Sequence, residues 1–95
     1  MAELPVVTAQ SVPQWARGVR LRYDETRENW VIVSPERVSM LNQSATEILK
    51  LIDGERSATQ MVDELVAQFH APREIIEKDV LHTLQDMQTR GLIAC

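Results

Sequence analysis

Hydrophobic and polar positions change their spacing once along this chain, and the change divides it into a strand-forming half and a helix-forming half. Val19, Leu21 and Tyr23 alternate with Arg20 and Arg22, the period of two that marks a half-buried strand. A polar turn from Asp24 to Asn29 leads into Trp30-Val31-Ile32-Val33, a β-branched and aromatic run, so the two segments predict a hairpin. Ser34-Pro35 ends it. Val38 to Leu41 predicts a third strand, short enough to suit the edge of a sheet.

After Leu41 the spacing becomes helical. Ala45, Ile48, Leu49 and Ile52 fall on one stripe, with Asn42 or Ser44 able to cap the start and Gly54 following the end. Ser57-Ala58-Thr59-Gln60 has the form of a capping box, and the helix it opens is expected to bury Met61, Val62, Leu65, Val66 and Phe69. Pro72 suits the first turn of a third helix, whose core stripe is Ile76, Val80, Leu84 and Met87 and whose stop is Gly91, ahead of Leu92-Ile93. The fold class this predicts is α+β and winged-helix-like: a small antiparallel sheet of about three strands followed by a three-helix bundle. Residues 1–14, with Pro5 and Pro13 among small and polar neighbours, predict an extended N-terminal arm in which Leu4, Val6 and Val7 are the positions able to pair or pack. Residues 15–95 form the domain.

Length leaves room for one small core and no second domain. No apolar run approaches the roughly 18 residues that span a bilayer, and the N-terminus lacks the pattern of a signal peptide, so no membrane role and a cytoplasmic location are expected. The sole cysteine, Cys95, has no internal disulfide partner. Charge is uneven. Through Asn42 five basic residues balance five acidic ones, and the whole net charge of −4 resides in the helical half. Such a surface repels phosphate backbones, and the third helix sets Arg73, Lys78 and Arg90 against Glu74, Glu77, Asp79 and Asp86. A nucleic-acid-binding winged helix is therefore disfavoured.

Catalytic chemistry has no foothold either. His70 and His82 lie on different predicted helices without the spacing of a metal site, and Asp63-Glu64 and Glu74 with Glu77 read as solvated helix faces. The glycines are scattered stops, with no phosphate-cradling loop. A non-enzymatic binding module without cofactor or metal is the expectation. One apolar residue sits off the third helix's stripe: Leu81 lies about 100° from its centre, beside Lys78, Gln85 and Gln88. It either widens the buried face or lines a groove. A helical interaction or regulatory domain is the alternative reading, with a homodimer formed by strand exchange as its natural assembly.

The run from Trp15 to Asp24, then Trp30 through Pro35-Glu36-Arg37, Leu41 to Ala45, Ile48 to Gly54 and finally Arg90-Gly91-Leu92-Ile93 resembles the PqqD family, the peptide chaperones of pyrroloquinoline quinone biosynthesis. Order and spacing together carry the likeness, which covers nearly the whole chain and informs the arm before Trp15 least. The resemblance implies a recognition element for ribosomally made, post-translationally modified peptides. It would bind the precursor peptide PqqA and present it to PqqE, a radical S-adenosylmethionine enzyme that cross-links a Glu to a Tyr. The iron-sulfur chemistry would belong to that partner, since one cysteine cannot hold a cluster. Strand addition is the expected binding mode: the edge residues Arg37, Val38, Ser39, Met40 and Leu41 would meet the peptide on one side, and Lys78, Leu81 and Gln85 of the third helix would close the other wall.

Overall fold

The computed structural model describes residues 6–95, so Leu4 lies outside the described residues. The chain runs through β1 (Gln14–Trp15), β2 (Arg20–Asp24), β3 (Asn29–Val33), β4 (Val38–Met40), α1 (Gln43–Leu49), α2 (Ala58–Phe69), α3 (Arg73–Thr89) and β5 (Ile93–Ala94). The expected strands pair as an antiparallel sheet in the order β2-β3-β4. A second sheet, β1 with β5, was not legible in the spacing, because two-residue strands carry no period to read. The winged-helix description fits in outline only.

Local chemistry sets the turns. At the β2–β3 turn Asp24 Oδ1 accepts the backbone N–H of Thr26 at 2.9 Å and of Arg27 at 3.3 Å, while Oδ2 receives the Arg27 guanidinium at 2.6 Å. The Arg27 side chain first, then these backbone bonds, hold the Asp24 carboxyl below its ordinary value. Gly18, ahead of β2, has φ +78°, and a Cβ there would stand 3.1 Å from Pro35 Cγ, so only glycine lets the β2 approach pass so close to the β3–β4 turn. That turn is closed by Ser34, whose N–H and hydroxyl both donate to the Arg37 carbonyl at 3.0 Å.

Register assigns the faces. Leu21, Ile32 and Ser39 align across the strands, as do Tyr23 and Trp30, and this face meets the helices. Ile32 is fully enclosed in the main core, and the Trp30 ring takes the Tyr23 edge at 5.6 Å and the Lys50 ammonium at 5.0 Å. The opposite face carries Arg20, Val33 and Val38 in one row and Arg22, Val31 and Met40 in the next.

The helices begin as their caps dictate. Asn42 Oδ1 accepts the Ala45 N–H at 2.7 Å, and the Ser57–Gln60 capping box is complete. α1 stops a turn earlier than its stripe suggests, yet Ile52 stays buried because Leu51 and Ile52 continue in tighter turns, donating to the Ile48 and Leu49 carbonyls. Phe69, expected in the core, is 48% exposed at the last position of α2. The chain turns there through His70, which adopts φ 55° and so caps the helix in the left-handed conformation without a glycine. Pro72 stands just before the first turn of α3 rather than inside it. Ile48, Leu49, Met61, Val62, Leu65, Val80, Leu84 and Met87 fill the space between the helices.

Residues 6–13 are not a loose arm. Val7 is 6% exposed and Pro13 is among the fully buried side chains. The first turn of α2 leaves N–H groups without helical partners, and this segment satisfies two of them: Ala58 donates to the Ser11 carbonyl at 2.8 Å and Thr59 to that of Ala9 at 3.0 Å. Farther up, the Val7 N–H donates to Gln85 Oε1 at 2.8 Å. The segment is thus strapped across α2 onto α3, and β1 continues it into the second sheet.

Two outcomes test this account. Gln85→Ala strands the Val7 N–H and is expected to lower unfolding free energy by about 1 to 3 kcal/mol in urea titrations. Asp24, held below its ordinary value, stabilises its turn above about pH 4 and loses that contribution as pH falls through the lowered folded value. The Thr26 and Arg27 amide resonances should therefore shift in acid, and Asp24→Asn should abolish that shift.

Candidate functional site

The border of β4 is where the sheet is left incomplete. β3 occupies one side of it, and among the described residues no strand occupies the other. Ser34 and Arg37 share a ladder bond, so alternation makes Ile32 and Ser39 the next bonded pair and directs the backbone N–H and C=O of Val38 and Met40 away from β3. β2 forms the opposite border, but it sets arginines along its length.

Two hollows lie along the chain from this border, the first against β4 itself and the second among α1, α2 and α3, which the chain enters at Gln43. The first, of 360 Å³, is walled by Ser34, Glu36, Arg37 and Ser39 from the strand side and by Arg90 and Leu92 from the end of α3. Two guanidinium groups face one carboxylate there. The second, of 310 Å³, is apolar at its floor, with Ile48, Leu65, Ile76 and Val80, and has Phe69 and Ile75 at its mouth. Gln43, Glu47 and Asp79 form its polar rim. Chain direction joins the two. β4 leaves the first hollow at Ser39 and delivers Gln43 to the second, while α3 runs back from Ile75 and Asp79 to Arg90.

The edge residues expected from the sequence share this site. Arg37 is exposed and has no acidic partner among the described residues, Ser39 lines the first hollow, and Val38 and Met40 are exposed on the face turned from the helices. Leu41 packs against the core, and its carbonyl accepts the Asn29 amide at 3.3 Å. The helix residues do not join them. Gln85 is engaged by the N-terminal segment, Leu81 packs on the core, and Lys78 is exposed on that same flank. Leu81 and Arg90 are nine positions apart, about 180° around the helix, whereas Asp79 and Arg90 differ by only about 20°. The wall of α3 toward the hollows is therefore the flank of Ile75, Asp79 and Arg90. Its one apolar signal was Ile75, which also lies off the core stripe and is 58% exposed.

Chemistry at the site is that of recognition. Arg90 reaches Asp86 at 3.2 Å, leaving the Arg37 guanidinium without an ion pair among the described residues and Glu36 as the one carboxylate lining the same hollow. Among the described residues no group of three or more His, Cys, Asp or Glu is placed to hold a metal ion, and no helix is long and apolar enough to cross a membrane. Asp63 is bonded to Arg73 at 2.6 Å. Partial burial pushes the Cys95 thiol up, away from its reactive form.

Comparison with known proteins places the chain among relatives. A family model described as Coenzyme PQQ synthesis protein D (PqqD) matches residues 29–93, from β3 to β5. The chain is 46% identical over 87 residues to the PqqA binding protein of Bradyrhizobium diazoefficiens, covering 92% of this chain and 84% of that one. It is 38% identical to the PqqA binding protein of Gluconobacter oxydans over 98% of both. In shape it is similar to the solution NMR structure of the PqqD truncation of Methylobacterium extorquens PqqCD, a functional and stand-alone RiPP recognition element, with TM-score 0.81, 35% identity and coverage of 94% and 95%. It is also similar to the crystal structure of PqqD from Xanthomonas campestris, with TM-score 0.57, 34% identity and coverage of 90% and 96%. The chain belongs to the PqqD family.

Proposed function

We propose that this chain binds the precursor peptide PqqA as a strand added to β4 and presents it to the radical S-adenosylmethionine enzyme PqqE, which cross-links a Glu to a Tyr in the peptide during pyrroloquinoline quinone biosynthesis. The observation that carries this reading is the unpaired β4 border, with a charged hollow against it and an apolar hollow among the helices that follow. Relatives of this chain named for PqqA binding support the choice of peptide. The protein itself performs no covalent step, and the cross-linking chemistry belongs to its partner.

Magnitudes assign the roles. The backbone groups of Val38 and Met40 offer about four hydrogen bonds at roughly 0.5 to 1.5 kcal/mol each, which does little more than offset the ordering of a flexible peptide. Apolar anchors then decide affinity. One Leu, Ile or Phe side chain buried in the second hollow contributes roughly 1.5 to 3 kcal/mol, and its Ile75-Phe69 mouth is open to receive it. Arg37 at the other end attracts an acidic residue and so fixes the direction in which the peptide lies. Arg37, Val38, Ser39, Met40 and Leu41 are the strand-side contacts of this reading, and Ile75, Asp79 and Arg90 replace Lys78, Leu81 and Gln85 on the helix side.

Calorimetry with synthetic PqqA tests it. Ile75→Glu is expected to weaken binding by about tenfold or more, from the loss of one apolar contact. Met40→Pro removes an N–H that the β3–β4 ladder does not use, and should weaken binding comparably while leaving the unfolding midpoint in place. On titration of the wild type, amide shifts should concentrate at residues 37–41 and along the Ile75-Asp79-Arg90 flank. Shifts confined to the Leu81-Gln85 flank would overturn the placement. A second copy of the chain is the rival occupant of the β4 border, and a dimer in light scattering that PqqA leaves intact would favour it.

A further inference from the structure

The sheet face turned away from the helices plays no part in the groove, yet it is not an ordinary solvated surface. Val31, at its centre, is fully buried although it lies outside the main core cluster, flanked in register by Arg22 and Met40. Val38 and Met40 stand 46% and 57% exposed at the β4 side. Arg20 and Arg22 are exposed at the β2 side and meet no carboxylate among the described residues. In this they differ from Arg27, Lys50, Arg56, Arg73 and Arg90, each of which has an acidic partner. Arg17, Arg37 and Lys78 also lack an ion pair among the described residues, but Arg20 and Arg22 stand on one strand face beside an apolar strip. Charged residues on an edge strand deter unwanted pairing, but that role explains neither Val38 nor Met40, which sit at the opposite border of the same face. Apolar contacts at the centre of an interface and complementary charges at its rim are what protein recognition requires.

We propose that this outer face docks the enzyme that modifies the peptide, through an apolar patch on that enzyme rimmed by acidic side chains, and that the bound peptide completes the docking surface. This rests on the strand-addition reading above. A strand added beside β4 lies about 4.8 Å from it and turns alternate side chains toward the same face as Val38 and Met40. The rows then read arginine, valine, apolar edge residue and peptide residue, and the surface a partner meets is that of the arginines, Val38, Met40 and the peptide, since Val31 itself is covered. The enzyme thereby meets chaperone and peptide together, and linkage makes the effect mutual: peptide tightens enzyme binding as much as enzyme tightens peptide binding.

The test compares the wild type with an Arg20→Glu/Arg22→Glu double variant, using synthetic PqqA and purified PqqE. Peptide affinity should stay within about twofold, because neither arginine borders the groove. Affinity for PqqE should fall by at least about tenfold and its dependence on ionic strength should reverse, since a screened attraction has become a screened repulsion. Wild-type binding to PqqE should tighten when PqqA is present. If the double variant loses its far-ultraviolet circular dichroism, Arg20→Gln/Arg22→Gln removes the charges without reversing them, and a fall in PqqE affinity of about threefold or more is then expected. Unchanged PqqE affinity with intact peptide binding would overturn the outer face as the docking surface and leave the peptide site standing. Absence of any tightening by PqqA would overturn the composite surface. Failure of the wild type to bind PqqA at all would instead remove the reading on which this one rests.

Discussion

The register of β3 between its two neighbours is the constraint from which the rest of the molecule follows. Ile32 must face the helices and Val31 must face away, and a slip of one residue would exchange them. With that choice made, Ser39 turns toward α3, Val38 and Met40 turn outward, and the free backbone groups of β4 point into the space beside the helix. The Ser34–Arg37 turn and the passage of Gly18 against Pro35 hold this alignment from its end. The free edge is thus a by-product of core packing, set by the fold itself.

A second decision is made by the N-terminal segment. α3 has two flanks beside its buried stripe, and only one is available. Residues 6–13 take the other, drawn there by the unsatisfied first turn of α2 and by the side-chain amide oxygen of Gln85, and the burial of Val7 and Pro13 secures them. What remains open is the flank of Ile75, Asp79 and Arg90, against which β4 and the start of α1 form the facing wall. Apolar and charged linings are separated along this groove, with apolar volume at the α1 end and charged side chains at the strand turn.

The strands and helices were legible because their periods are clean: Leu21 with Tyr23, the Ile48-Leu49 stripe, and Ser57 paired with Gln60 each announce one element. β1 and β5 were not, since two residues cannot show a period. Which flank of α3 lies beside the hollows could not be read from the spacing for a related reason. A wheel identifies Leu81 and Ile75 equally as apolar residues off the stripe, and nothing in the spacing says that Val7, some 78 positions away, has already claimed the flank near Gln85. Phe69 misled through its position at a helix terminus, where the chain leaves before the ring is covered. The outer face was invisible as a unit, because its residues come from three strands and become neighbours only through pairing.

The small β1–β5 sheet carries a topological consequence. Gln14 and Ala94 are partners, so the beginning of the folded domain and its end are stitched side by side, next to Leu92 at the lip of the arginine-bearing hollow. A protein joined by a short linker after Cys95 would be tethered at that lip, and confinement within a few nanometres gives an effective concentration on the order of millimolar. Covalent fusion of a processing enzyme to this terminus would therefore substitute proximity for affinity, without altering a single contact in the groove.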